Sequence, residues 1–231
     1  MNKITIAIDG FSSTGKSTVA KQLAKTLGYV YVDTGAMYRA VTFYAMQNGL
    51  ISADDFNSEA LIYQLPKINI SFKFNETLGF AEVYLNSINI EKEVRTLKVS
   101  SFVSKVAAIS EVRQKLVEQQ QRLGQDKGVV MDGRDIGTVV FPKAELKLFM
   151  TASAKNRAER RYKELIERGD KVAYEDVLHN VQERDFIDSN REDSPLVKAK
   201  DAIEIDNSNM TLDEQFNKIL QLVRMTIEGL E

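Results

Sequence analysis

Apolar residues along this 231-residue chain follow two spacings. Short, nearly continuous runs stand at KITIAI (3–8), YVYV (29–32), VVM (129–131), LKLFM (146–150) and AIEI (202–205). Such runs predict strands, the first of them, rich in isoleucine, a buried one. Long amphipathic stretches separate them, and the first sets Val19, Leu23 and Leu27 four residues apart, with Ala20 and Ala24 alongside, up to Gly28. That spacing predicts a helix with one apolar stripe. Strands alternating with such helices predict a mostly parallel sheet covered by helices, with ligands at the carboxyl ends of the strands. A different period interrupts the pattern. INISFKF (68–74) sets Ile68, Ile70, Phe72 and Phe74 against polar neighbours, and AEVYLNSINI (81–90) is read as a second alternating strand beyond a glycine-containing turn at 75–80. This predicts an antiparallel hairpin in a small inserted subdomain. Asp54, Asp55 and Asn57 begin the linker into it, and the helical stretch 93–123 leads out.

The chemistry stands at the strand ends. IDGFSSTGKSTVA (8–20) lies between a strand and a helix and matches G-x-x-x-x-G-K-[ST] through Gly10, Gly15, Lys16 and Ser17. In such a loop the glycines let backbone N–H groups turn around phosphates, the lysine reaches the β/γ oxygens and the serine hydroxyl ligates Mg²⁺. The helix N-terminus adds free N–H groups and a positive dipole end. Gly10, Phe11, Ser12, Ser13, Thr14, Gly15, Lys16, Ser17 and Thr18 are therefore assigned to nucleotide phosphates. In VDTGAMYRA (32–40), Thr34 is read as the cap of a helix that raises Arg39 from the same rim. VVMDGRDIGTVVFP (129–142) ends its strand at Asp132, an acid suited to the hydration shell of Mg²⁺. Gly133 and Gly137 then free the backbone around Arg134 and Asp135.

Arginine concentrates further on. NRAERRYKELIERGD (156–170) puts Arg157 and Arg161 on one helical face, and ERDFIDSNRED (183–193) spaces Arg184, Asp188 and Arg191 at i, i+4 and i+7. Guanidinium forks match phosphoryl oxygens. This segment is read as a helical lid that folds over polyphosphate and excludes water, with Arg157 at the donor nucleotide and Arg161 at the transferring group.

Composition narrows the function. At 43% hydrophobic and 28% charged residues the chain can bury a full core, and a net charge of −2 gives no field for holding a nucleic acid. There is no cysteine and a single histidine, His179, so thiolate catalysis and a zinc cluster are excluded. Neither is needed for phosphoryl transfer, which relies on positioning and charge neutralisation. No stretch reads as a signal peptide or a membrane span, so a soluble cytoplasmic protein is expected. An N-K-x-D guanine-reading segment is missing. The residues alone leave open a kinase for another monophosphate, such as UMP, and a nucleotide sensor without turnover.

Taken in order, the phosphate loop, DTGAMYR, the hairpin block, VSKVAA, DGRDIGTVVFP, RAERR, and ERDFIDSNR followed by SPL resemble the bacterial cytidylate kinases of the P-loop nucleoside monophosphate kinase family. The resemblance covers essentially the whole chain. It implies an α/β P-loop NTPase-type core with a five-stranded parallel sheet flanked by helices, a small inserted antiparallel β subdomain and a helical lid. The core would be residues 1–35, 101–150 and 195–231, the monophosphate-binding insertion about 36–100 and the lid about 151–194. The implied reaction is phosphoryl transfer from ATP to CMP or dCMP with Mg²⁺, by a monomer with no nucleic-acid or membrane partner. By position the acceptor site falls on Thr34, Arg39, Ser104, Arg113, Arg134, Asp135, Arg184, Asp188 and Arg191. Lys16, Arg134, Arg161, Arg184 and Arg191 would be catalytic, with Ser17 and Asp132 at the metal. The chain departs from the family at Phe11-Ser12-Ser13-Thr14, where small residues are usual, at Thr34, where serine is common, and at Ile187 and Ser189, where some members carry arginine.

Overall fold

A computed structural model describes residues 2–230. Its first elements are β1 (Thr5–Gly10), α1 (Lys16–Leu27), β2 (Val30–Asp33), α2 (Thr34–Gln47) and α3 (Ser58–Gln64). There follow β3 (Ile70–Asn75), β4 (Phe80–Leu85), β5 (Ile88–Asn89), α4 (Leu97–Ala107) and α5 (Ser110–Leu123). The chain closes with β6 (Val129–Gly133), β7 (Leu146–Thr151), α6 (Ala154–Glu167), α7 (Tyr174–Asn190), β8 (Ile203–Asp206) and α8 (Leu212–Glu228).

All five apolar runs become strands of one parallel sheet, ordered β2-β6-β1-β7-β8. The central strand shows why its sequence is apolar on both sides. Side chains alternate across a strand, so Ile6 and Ile8 face α1 and α8 while Ala7 faces the cluster built on α2 and α5. On the first face α8 buries Ile219, Val223 and Ile227 at helical spacing, each worth about 1.5–3 kcal/mol on full burial. The stripe on α1 holds as read: Val19, Ala20, Leu23 and Ala24 are buried, and Gly28, at a left-handed φ of 66°, sends its N–H toward Ala24 O. Parallel pairing brings the carboxyl ends of β1, β2 and β6 to one rim, with Asp9 opposite Gly133 and Asp33 opposite Asp132.

The insertion differs from its sequence reading in one respect. β3 pairs with β4 from Ile70 opposite Leu85 to Asn75 opposite Phe80, but residues 81–90 do not form a single strand. Asn86 (φ 48°) and Ser87 (φ 71°) turn the chain back into β5. Left-handed φ at both central residues is the tight-turn geometry that matches the twist of flanking strands. The subdomain is a three-stranded sheet. It shares its core with the rest of the molecule, because Ile70, Val83 and Leu85 lie in the same buried cluster as Met37, Val41 and Met131. The exit, 93–123, is not one helix: a 3₁₀ turn at Glu93–Arg95 precedes α4, and the chain breaks at Ala108–Ile109 before α5. Asn57 closes the linker in by capping α3, accepting from Ala60 N at 2.9 Å. Among the described residues no helix is long and apolar enough to cross a membrane.

Candidate active site

The loop between β1 and α1 is built by its glycines. Gly10 pairs so closely with β7 that a Cβ there would stand 2.0 Å from Met150 O. Gly15, at φ 86°, begins α1 with no side-chain cap, which leaves first-turn N–H groups for an anion. Lys16 is buried and folded back on the loop, its Nζ donating to Gly10 O (2.9 Å), Phe11 O (2.6 Å) and Thr14 Oγ1 (3.3 Å). Burial, with Arg134 next, pushes its pKa well down. Both burial and Arg134 oppose the ammonium, and an anion beside it would offset them. Ser17 Oγ donates to Asp132 Oδ2 at 2.9 Å. No group of three acidic, histidine or cysteine side chains suited to a metal occurs among the described residues. One hydroxyl and one carboxylate fit a cation such as Mg²⁺, which keeps water and takes phosphate oxygens as its other ligands.

A cavity of about 730 Å³ runs from this loop to a second, arginine-rich wall. It is lined by Ser12 to Thr18, Thr34, Arg39, Ser104, Arg113, Asp132, Arg134, Asp135, Arg161, Arg184, Asp188 and Arg191. Residues far apart in sequence meet here because the rim gathers three strand ends and α7 closes over α4. Asp188 accepts from Arg134 Nε at 2.8 Å, and Arg113 is paired with Asp135, both almost fully buried. Arg184 Nη1 donates to Ser100 Oγ at 2.9 Å. Burial opposes the charge on Asp188, yet Arg134 and Arg184 outweigh it and hold the carboxyl below its ordinary range. For Arg184 burial and the facing Arg134 act together and push the pKa down. Ser12 Oγ, Arg39 Nε and Arg184 Nε are buried without hydrogen-bond partners. Buried unpaired donors are costly, and at this wall they are the groups an anionic ligand would satisfy.

Five sequence-assigned residues sit elsewhere than expected. Thr34 is not the cap of α2: Asp33 Oδ1 accepts from Ala36 N at 2.7 Å, while Thr34 Oγ1 donates to Asp132 O at 2.6 Å. A carboxylate one position earlier reaches the free N–H first. Arg191 is not on the helical face of Arg184 and Asp188, because α7 stops at Asn190 and Arg191 is extended (ψ 146°), donating to Ser194 O; it still lines the cavity. Phe11 turns its ring away, edge-on to Phe149 at 5.9 Å. Arg157 does not line the cavity either. It lies behind the loop over the Phe11 ring, paired with Asp185 at 2.7 Å and donating to Ser12 O. Gly10 likewise offers only its carbonyl, to Lys16. His179 is on the exposed face of α7.

Other groups at the site were passed over in the sequence. Asp33 is shared by Arg39 (3.2 Å) and Arg95 (2.7 Å); burial disfavours its charge, but Arg95 and then Arg39 draw the pKa down strongly. The carbonyl of Arg95 accepts from Arg161 (2.8 Å) and Arg168 (2.9 Å), tying α6 to the insertion. Asp9 is buried under the loop, accepting from Ile136 N (2.8 Å) and Gly137 N (2.7 Å). Burial pushes it up to about 7 against the pull of those two amides. Asp9 thus fixes the turn that presents Arg134 and Asp135.

A phosphate loop on a parallel sheet, facing a second arginine-lined wall, defines a P-loop phosphotransferase. Residues 6–225 match the family model described as cytidylate kinase. The chain is 69% identical over 228 residues to the cytidylate kinase of Flavobacterium johnsoniae, covering 99% of each chain. It is 54% identical over 215 residues to that of Bacteroides fragilis, covering 93% of this chain and 94% of the other. A crystal structure of an uncharacterized protein from Eubacterium ventriosum shares the fold, with a TM-score of 0.50 at 12% identity over 97% of this chain and 99% of that one. The chain belongs to the cytidylate kinase family.

Proposed function

We propose that this chain transfers the γ-phosphoryl group of ATP to CMP and dCMP, giving ADP and the corresponding diphosphate. The observation that carries the reading is a single cavity in which Lys16 and the loop face a wall of buried arginines with unsatisfied donors. The loop amides and Lys16 hold the donor phosphates, and Arg39, Arg134 and Arg191 hold the acceptor phosphate in line. Arg161 and Arg184 balance charge on the transferring group from the lid side. Ser17 and Asp132 hold Mg²⁺, which neutralises phosphate oxygens when bound. An oxygen of the acceptor's own phosphate attacks, so no protein nucleophile is required. Thr34 and Ser104 complete the acceptor wall. Arg157 acts from behind the loop, holding its backbone to α6. In this division residues 36–100 form the insertion on the acceptor side, supplying Arg39, and 151–194 form the lid, on a core of 1–35, 101–150 and 195–231. Action as a monomer in the cytoplasm, on small nucleotides alone, completes the reading.

The Arg113–Asp135 pair, with Ser104, suits the cytosine edge. Cytosine presents an N4 donor with N3 and O2 acceptors, whereas uracil reverses the roles at position 4 and N3. Each buried group left unpaired costs about 1–3 kcal/mol, so kcat/KM for CMP is expected to exceed that for UMP by ~10-fold or more. An ADP-release assay over CMP, dCMP, UMP and AMP measures this. Equal values for all four would reject the base pocket, and no turnover with any would reject a kinase in favour of a sensor.

Asp188, buried and bonded to Arg134, suits the acceptor sugar. A hydrogen bond from the sugar to a charged group contributes about 1.5–3 kcal/mol, so Asp188→Ala is expected to lower kcat/KM for CMP by about 10-fold or more while ATP affinity holds. Steady-state kinetics with CMP and dCMP, beside ATP binding by calorimetry, decide it. Unaltered acceptor kinetics would remove Asp188 from the substrate site.

A further inference from the structure

Tyr31 lies on β2, next to β6 in the sheet, and the register sets Asp33 directly opposite Asp132. Tyr31 therefore stands two positions before the residue facing Asp132, with its side chain on the same side of β2 as that of Asp33. Its hydroxyl donates to Asp132 Oδ1 at 2.9 Å, while the other oxygen of the same carboxylate, Oδ2, accepts from Ser17 at 2.9 Å. Asp132 is 5% exposed, and its two oxygens are thus divided between one partner behind the cavity and one in it. Tyr31 itself does not line the cavity. Lys21, which does, lies over the Tyr31 ring at 5.9 Å and over that of Phe80 at 3.6 Å, so the ring is packed whatever the hydroxyl does.

We propose that Tyr31 is a positioning residue for the divalent cation, pinning Asp132 Oδ1 so that Oδ2 is held for Ser17 and the hydrated ion. The inference rests on the proposed placement of Mg²⁺ at Ser17 and Asp132. A carboxylate with one oxygen tied cannot rotate both away from the ion, and it keeps the serine hydroxyl turned so that a lone pair faces the phosphates. Partners of metal-holding groups commonly change metal affinity by about 10–100-fold when removed. Tyr31→Phe takes away only the hydroxyl and keeps the ring between Lys21 and the sheet.

The test is Mn²⁺ binding, followed by electron paramagnetic resonance on the enzyme saturated with ADP and without CMP, for the unsubstituted chain, Tyr31→Phe and Asp132→Asn. Thermal unfolding is measured alongside. Tyr31→Phe is expected to weaken Mn²⁺ binding by about 10-fold, to raise the Mg²⁺ concentration for half-maximal turnover in step, to leave KM for CMP unchanged, and to recover kcat at saturating Mg²⁺. Equal Mn²⁺ affinity in a folded Tyr31→Phe protein would overturn the proposal. So would a loss of kcat that saturating Mg²⁺ does not restore, since that is the mark of a structural role. If Asp132→Asn binds Mn²⁺ as the unsubstituted chain does, the cation site itself is misplaced and the role of Tyr31 falls with it. Failure of CMP turnover in the unsubstituted chain would sink the proposed reaction and leave the Mn²⁺ comparison readable by itself.

Discussion

Lys16→Ala is expected to lower kcat by about 10²-fold or more with the fold intact, a loss of the size seen when one preorganised charge-stabilising group is removed from an active site. The ammonium contacts only the loop's own Gly10 O, Phe11 O and Thr14 Oγ1, so its removal cancels no long-range packing. What disappears is a charge held at small reorganisation cost. Lys16 Nζ sits against carbonyls that it can leave for phosphate oxygens, and its burial makes its attraction to an anion stronger than it would be in water. Lys16→Arg tests the same point differently, because a planar fork does not reproduce a compact point charge and is expected to restore little. Circular dichroism and thermal unfolding establish that the variant is folded, and the ADP-release assay gives kcat. A folded Lys16→Ala enzyme turning over CMP at a near-normal rate would refute the assignment of the phosphate loop.

The sheet and the loop were legible in the sequence for a common reason: both are local. A strand buried on two faces needs a continuous apolar run, and β1, β6 and β7 answer to that need, while the edge strands β2 and β8 are partly exposed. Gly15 satisfies a local backbone demand at φ 86°, and Gly10, though read from the same motif, answers to the close approach of β7. The insertion misled because its phase shift is small. Ala81, Val83 and Leu85 are apolar at odd positions and Ile88 and Ile90 at even ones, so the alternation slips between 85 and 88, where Asn86-Ser87 makes the turn. Reading 81–90 as a single strand overlooked that slip, the one sequence signal of β5.

Side-chain partners were harder to foresee. Spacing in sequence placed Arg157 beside Arg161, yet Arg157 is turned under the loop because Asp185, on another helix, offers it a carboxylate at 2.7 Å. Arg95 carried no motif, and its importance arises only when β2, the 3₁₀ turn and α6 meet around Asp33. Asp9 precedes the loop motif and belongs to none, because its two amide donors lie more than a hundred positions on, at Ile136 and Gly137. Such pairings depend on the strand order, which no local pattern specifies.

The pair Arg113–Asp135 carries the second large effect, because it is both structural and chemical and the two roles can be separated. Both side chains are almost fully buried, so solvent does not screen them. Removing one partner of a buried ion pair costs about 3–5 kcal/mol, whereas replacing both by apolar groups of similar volume is often neutral or stabilising. Asp135→Ala is therefore expected to lower stability toward the low end of that range, since Arg113 retains Ala107 O at 3.3 Å and Asp193 at 3.6 Å. Denaturant unfolding measures it. CMP use should collapse in the same variant, but a destabilised enzyme is poor evidence for a role in reading the base. The double variant Arg113→Met with Asp135→Leu resolves this. Its stability is expected to recover most of that loss, as when both members of a buried ion pair are replaced by apolar groups, while kcat/KM for CMP stays low because only Ser104 is left to face the cytosine edge. A stable double variant that still prefers CMP over UMP would show that the pair holds the wall together and that the base is read elsewhere.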